Sequence, residues 1–207
     1  MMAQLMTQFW QVRPIEFNDF YTNFLKIRSQ RQRSDTVLIR EGSFYEGNCK
    51  SFLGIFDDDK VVATAAITND GEVISVIGAD GYSRVSKNLL TASLIYSGLK
   101  LDCYNVSFLW KAYNYAGFRP VAKYSLNKKE IDDVKEWWDE SKDGTDYEII
   151  YWIFDKKNIS PLNATPPPDL DERKKHIREF KSKIEAEKYR DKLAYEEFHI
   201  KSLIKSI

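Results

Sequence analysis

Tyr113-Asn114-Tyr115-Ala116-Gly117-Phe118-Arg119-Pro120-Val121-Ala122 is the stretch on which the reading of this chain turns. Upstream of it, Phe108, Leu109, Ala112, Tyr113 and Ala116 are spaced for one buried face of a helix over Val106 to Ala116. Gly117 closes that helix, because glycine accepts the left-handed backbone that ends a helix at little cost. Phe118 to Tyr124 then returns as a strand, and Leu99 to Tyr104 before the helix reads as another. The segment is therefore a strand–helix–strand unit.

Working toward the N-terminus, the helix about Val85 to Ser97 ends at Gly98, where a C-cap glycine belongs. A glycine-containing loop, Gly78 to Arg84, leads into it. Glu72 to Ile77 is β-rich and follows the turn Asn69-Asp70-Gly71. Ser51 to Phe56 and Val61 to Ile67 flank the acidic turn Asp57 to Lys60 and predict a hairpin. Phe9 to Ile15 predicts a short strand that ends at a proline-restricted position. Asn18 or Asp19 then caps a helix carrying Phe20, Phe24 and Ile27. Residues 34–50 read as a loop with a second short helix or strand.

Toward the C-terminus, residues 127–146 are acidic and turn-rich, with Trp137-Trp138 either covering a sheet or rimming a groove. Tyr147 to Phe154 is strongly β-prone. Pro166-Pro167-Pro168 marks a stiff linker over residues 159–168. Residues 169–207 read as one long charged amphipathic helix, with apolar stripes at Ile177, Phe180, Ile184 and at Tyr189, Leu193, Ile200, Leu203, Ile207. This predicts an α+β domain over residues 1–158, a linker, and a separate helix.

The 207 residues carry 31 basic and 31 acidic side chains. A net charge of zero gives little counterion-release drive, so nucleic acid is not an expected partner. No run approaches the ~20 apolar residues of a membrane span, and Met1 to Gln11 lacks the layout of a signal peptide. The cysteines, Cys49 and Cys103, are too few for a disulfide framework and suit a reducing cytoplasm. Both histidines, His176 and His199, lie in the tail. That excludes Ser-His-Asp and Cys-His nucleophilic sites from the first 160 residues and leaves no zinc ligand set there. Acid–base chemistry in the domain falls to carboxylates, Tyr, Lys or Cys.

The order of elements resembles the GCN5-related N-acetyltransferase (GNAT) superfamily over roughly residues 9–155. Val12-Arg13-Pro14 with Asp19 resembles its opening strand and helix start. Leu89-Leu90 falls where the family places a paired leucine after its CoA-binding loop. Tyr113 to Phe118 resembles its Tyr-x-x-x-Gly-Phe helix end, and Leu99 to Tyr104 resembles a variant of phage and prophage GNAT-like proteins. The resemblance implies a central mixed, mostly antiparallel sheet flanked by helices. It also implies acetyl-CoA as co-substrate, direct attack by an amine in a ternary complex, and no metal.

Carried onto this sequence, the resemblance makes Tyr113 the general acid and Glu72 a water-bridged base. Ser75, Val76 and Ile77 form the strand edge for the pantetheine arm. Ser83, Arg84, Val85 and Ser86 form the helix start that holds pyrophosphate. The chain departs from the family's pyrophosphate loop here: its small positions fall on Arg84 and Ser86, while Gly78 and Gly81 sit too early. A loop so altered either holds phosphate through Ser86 and the Arg84 side chain or has lost CoA affinity. Read without the resemblance, Tyr113 is a core tyrosine, Glu72 a solvated strand-start carboxylate, and Cys103 a small buried residue. Asp102 alternates with Cys103, and either one faces the core.

Two functions follow. One is an acyltransferase acting on a small-molecule or protein amine in the cytoplasm. The other is a catalytically silent GNAT-like structural protein, such as a phage virion or host-takeover component, that binds a partner or itself through 169–207.

Overall fold

The structure, a computed structural model, describes residues 11–31, 37–82, 85–157 and 170–198. The linker 159–168 and the sites Ser83 and Arg84 lie outside the described residues, as do Ile200, Leu203 and Ile207 of the second stripe.

The chain opens with β1 (Gln11–Pro14) and α1 (Phe17–Gln30). Helix α1 starts at a Glu16 N-cap, two residues before Asn18 and three before Asp19, the expected caps, and leaves Asp19 in its first turn near the positive end of the helix dipole. Of residues 34–50, the described ones (37–50) contain α2 (Gly42–Asn48) and the first residues of β2 (Cys49–Asp57). Strand β2 pairs with β3 (Lys60–Thr68) as the predicted hairpin, turned through Asp58 at φ 51°. Then come β4 (Val73–Gly78), α3 (Val85–Ser93) and a 3-10 turn at Leu94–Tyr96. The left-handed residue that ends this turn is Ser97, not Gly98. Gly98 is needed for room instead: a Cβ there would meet Val73 Cγ2 at 2.7 Å and Ser93 at 2.9 Å.

Next follow β5 (Lys100–Tyr104), α4 (Ser107–Tyr115), β6 (Phe118–Ser125), α5 (Lys128–Val134), α6 (Glu140–Asp143) and β7 (Glu148–Phe154). In α4 the buried residues are Trp110, Tyr113 and Asn114, whereas Phe108 is 39% exposed, so the helix is rotated from the predicted face. Trp110 and Tyr113 both pack edge-on against Trp152, at 4.8 and 5.6 Å between ring centroids. Trp138 is buried against the sheet with its indole N–H donating to Gly144 O at 2.9 Å, and Trp137 packs on Tyr104. The tryptophan pair covers the sheet.

The C-terminal segment is the main correction. In place of one helix from 169, the chain forms α7 (Leu170–Lys174), β8 (Arg178–Phe180) and α8 (Lys183–Phe198). Strand β8 pairs parallel with β6, and α8 packs on β6 and β7 through Ala186, Arg190 and Ala194. These three are spaced four apart and so share one face. Ile184, placed in the predicted stripe, is 63% exposed.

The strands form two four-stranded sheets, β1-β2-β3-β4 and β5-β7-β6-β8. The first is antiparallel throughout; the second has its one parallel pair at β6–β8. Among the described residues a single parallel bridge, Glu72 to Lys100, links them. Strands β4 and β5 thus start side by side and, among the described residues, pair no further. An α+β fold with two sheets joined at one corner and flanked by helices is the result. Phe20, Phe24, Tyr45 and Ile77 fill the space under α1. Each such side chain contributes about 1.5–3 kcal/mol by leaving water. No helix among the described residues is long and apolar enough to cross a membrane.

Candidate active site

The cleft begins with a defect in β4. Ala66 faces Ile74 and Thr64 faces Ile77, so Ser75 and Val76 together oppose Ala65 alone. This is a β-bulge, which takes the extra residue out of the ladder and re-aims the backbone. Ser75 adopts φ 54°, a left-handed conformation that costs a non-glycine residue about 1–3 kcal/mol. Its hydroxyl is held at 2.7 Å from the Tyr45 hydroxyl, which fixes the bulge from beneath. Of the three expected edge residues, Ser75 and Val76 face the cleft, while the Ile77 side chain is buried under α1.

Beyond the bulge, β4 ends at Gly78, where α3 comes close. A Cβ on Gly78 would lie 2.3 Å from Val85 Cγ2. Gly81 takes φ 86° in the following turn with open space around it. The two glycines judged too early for a phosphate loop shape the approach of the helix instead. Val85 is buried and anchors α3; Ser86 lines a cavity of about 900 Å³ that runs from Gly78 to Tyr82 and across to α4. Arg31, Lys87 and Lys111 bring positive charge to that cavity, against Asp80. The Arg31 guanidinium donates to Gly78 O at 3.0 Å, and burial lowers its pKa without removing its charge.

A second cavity, of about 150 Å³, lies on the other flank of α4, between the bulge and β5. Tyr113, Ser75, Val76, Asp102 and Cys103 line it. Tyr113 is 7% exposed, and its hydroxyl has no hydrogen-bond partner among the described residues. Burial, with Cys103 and Asp102 adding to it, pushes the phenol well above its usual value, so it keeps its proton. The Cys103 thiol is also pushed well up by burial, which removes thiolate chemistry at neutral pH.

Glu72 stands apart. It lines neither cavity, and its carboxylate accepts from Arg190 Nη1 at 2.7 Å. Burial raises its pKa while the Arg190 charge opposes the rise. The residue that sequence reading left without a role is Asp102. Its half-buried carboxylate borders the Tyr113 cavity and makes no hydrogen bond or ion pair among the described residues. Alternation along β5 placed one of Asp102 and Cys103 on the core; both border the opening because β5 lies where the sheets part. Arg31 and Lys183 were also missed, since each reaches the cleft only through the tertiary fold.

No protein-family model matches the chain, and no curated protein matches it. Among solved structures it is similar to an N-acetyltransferase from Staphylococcus aureus Mu50, with 14% identity and a TM-score of 0.47 over 72% of this chain and 99% of that one. It is similar to a Bacillus subtilis acetyltransferase in complex with CoA, with 13% identity and a TM-score of 0.44 over 70% and 98%. A third is N-acetylglutamate synthase from Neisseria gonorrhoeae, complexed with coenzyme A and N-acetyl-glutamate. Its identity is 16% and its TM-score 0.44, over 69% of this chain and 34% of that one.

Proposed function

We propose that this chain is a GNAT-type N-acyltransferase that moves an acetyl group from acetyl-CoA to an amine. The observation that carries the reading is Tyr113: a protonated phenol without a protein partner among the described residues, in a small cavity between the β4 bulge and β5. The larger cavity beside it has the size and the cationic lining for a pyrophosphate-bearing arm, with Ser86 at the start of α3, and Ser83 and Arg84 next to it in sequence.

In this reading the acceptor nitrogen attacks the thioester carbonyl carbon while both reactants are held in one cleft. The backbone of the Ser75–Val76 bulge borders the same cavity and would supply the N–H donors to the developing oxyanion. Tyr113 gives its proton to the departing thiolate, and its raised pKa ensures the proton is there to give. Asp102 is better placed than Glu72 to take the amine proton, because Glu72 is already held by Arg190.

A catalytically silent protein of the same fold is the second reading. Arg31 supports it, since its guanidinium already occupies the Gly78 carbonyl beside the free edge of β4. Thiol release from acetyl-CoA in the presence of an amine panel tests the choice. Turnover that Tyr113→Phe abolishes while acetyl-CoA binding persists supports the enzyme; unchanged turnover in that variant removes Tyr113 from the chemistry.

A further inference from the structure

Helix α8 brings an amine of this chain to the cavity that Tyr113 lines. Its first residue, Lys183, lines the 150 Å³ cavity together with Tyr113, Asp102, Cys103 and the β4 bulge. The position is fixed from two sides. Asp102 and Tyr151 are cross-strand partners in β5 and β7, and the Tyr151 hydroxyl lies 3.5 Å from Lys183 O. Two turns further on, buried Arg190 ties the same helix to Glu72 at the root of β4. Ser182 caps the first turn, with its Oγ accepting from Glu185 N at 3.3 Å. The Lys183 side chain is exposed at the cavity mouth, and its ammonium has no ion-pair or hydrogen-bond partner among the described residues. Most neighbouring cations of α8 are spoken for: Arg190 pairs with Glu72 and Lys192 with Glu196.

We infer that Lys183 is an acceptor in cis and that the chain acetylates its own Nζ. The inference rests on the acyltransferase reading. The Lys183 ammonium loses a proton to Asp102, and the free amine attacks the thioester carbonyl carbon. The new C–N bond forms as the C–S bond breaks, the CoA thiolate takes the Tyr113 proton, the surplus proton on the new amide nitrogen returns to the Tyr113 oxygen, and Asp102 releases its proton to solvent. The net change is ammonium plus acetyl-CoA to amide, CoA thiol and one proton. Holding both reactants on one chain makes the step unimolecular once acetyl-CoA is bound, which favours Lys183 over freely diffusing lysines.

The full chain is incubated with acetyl-CoA and followed by intact mass and peptide mapping, beside Lys183→Arg, Lys181→Arg and Tyr113→Phe. One acetyl group is expected on Lys183, at least ~10-fold faster than on any other lysine, with a rate constant independent of protein concentration. Lys181→Arg keeps the modification, and Lys183→Arg and Tyr113→Phe lose it. Acetylation spread evenly over lysines, or a Lys183 rate proportional to protein concentration, overturns the inference. Thiol release with an added small amine is measured in parallel. If it proceeds while Lys183 stays unmodified, self-acetylation falls and the acyltransferase reading stands; if neither occurs, both fall.

Discussion

Arg190 Nη1 lies 2.7 Å from Glu72 Oε1, joining the middle of the last described helix to the residue just before the strand that forms the cleft. The guanidinium also donates through Nε to Asp191 at 2.9 Å, and Asp191 meets Lys100, which meets Asp70 at 2.7 Å. This alternating chain of charges sits at the corner where the two sheets touch through Glu72 and Lys100. Burial acts to lower the Arg190 pKa, but the carboxylates of Glu72 and Asp191 outweigh it, and the residue stays charged. The C-terminal helix therefore locks the geometry of the cleft.

Removing one partner leaves a buried charge uncompensated. Arg190→Met is expected to destabilise the chain by about 3–5 kcal/mol, and pairing it with Glu72→Gln recovers a large part of that loss. Urea denaturation of the single and double variants measures the coupling. Equal losses in Arg190→Met and in the double variant contradict the assignment.

Asp70 predicts a pH dependence. Burial pushes its carboxyl up, but hydrogen bonds from Lys100 and Thr68 and the Lys100 charge bring it below its ordinary value. A folded pKa below the unfolded one, about 3.9, stabilises the fold above that pH and ceases to do so as pH falls through the folded value. The gap in denaturation midpoint between the native chain and Asp70→Asn is expected to be full at neutral pH. It narrows below about pH 4. A gap independent of pH refutes the role.

Gly78→Ala places a methyl group where Val85 Cγ2 already sits. The expected cost is about 1–3 kcal/mol in stability, together with weaker acetyl-CoA binding as α3 is pushed from β4. Gly81→Ala meets no neighbour, so its cost comes from φ 86° alone, about 1 kcal/mol. Thermal denaturation separates the two, and equal binding in both variants argues against α3 as part of the site.

Tyr113→Phe is expected to lower turnover by about 100-fold or more with little change in acetyl-CoA affinity. Because burial holds the phenol protonated, the native turnover profile has no basic limb from Tyr113 up to its ordinary value near 10. A basic limb that vanishes in Tyr113→Phe contradicts the raised pKa.

Sequence reading recovered the central strands and the Tyr113 helix end because their signals are local. The hairpin Cys49–Thr68 is two β-rich runs around an acidic turn, and Gly117 takes φ 93° where the helix stops. The C-terminal segment defeated the same logic. Strand β8 is three residues long, too short to show a period of two, and Ile177 with Phe180 mimics helical spacing. The buried face of α8 has an arginine at its centre, flanked by alanines, and a hydropathy pattern assigns such a face to solvent. Arg190 is buried only because Glu72, 118 residues earlier, meets it there. Asp102 and Lys183 were hidden for the same reason: their common cavity exists only once β5, β7 and α8 are assembled.

Isothermal titration of the full chain with acetyl-CoA tests the central claim most directly, with Ser86→Trp as its partner variant. Saturable one-to-one binding that Ser86→Trp weakens at least ~10-fold is the expected result for a ligand seated between β4, α3 and α4. Absence of binding, or unchanged affinity in Ser86→Trp, contradicts the acyl-CoA site.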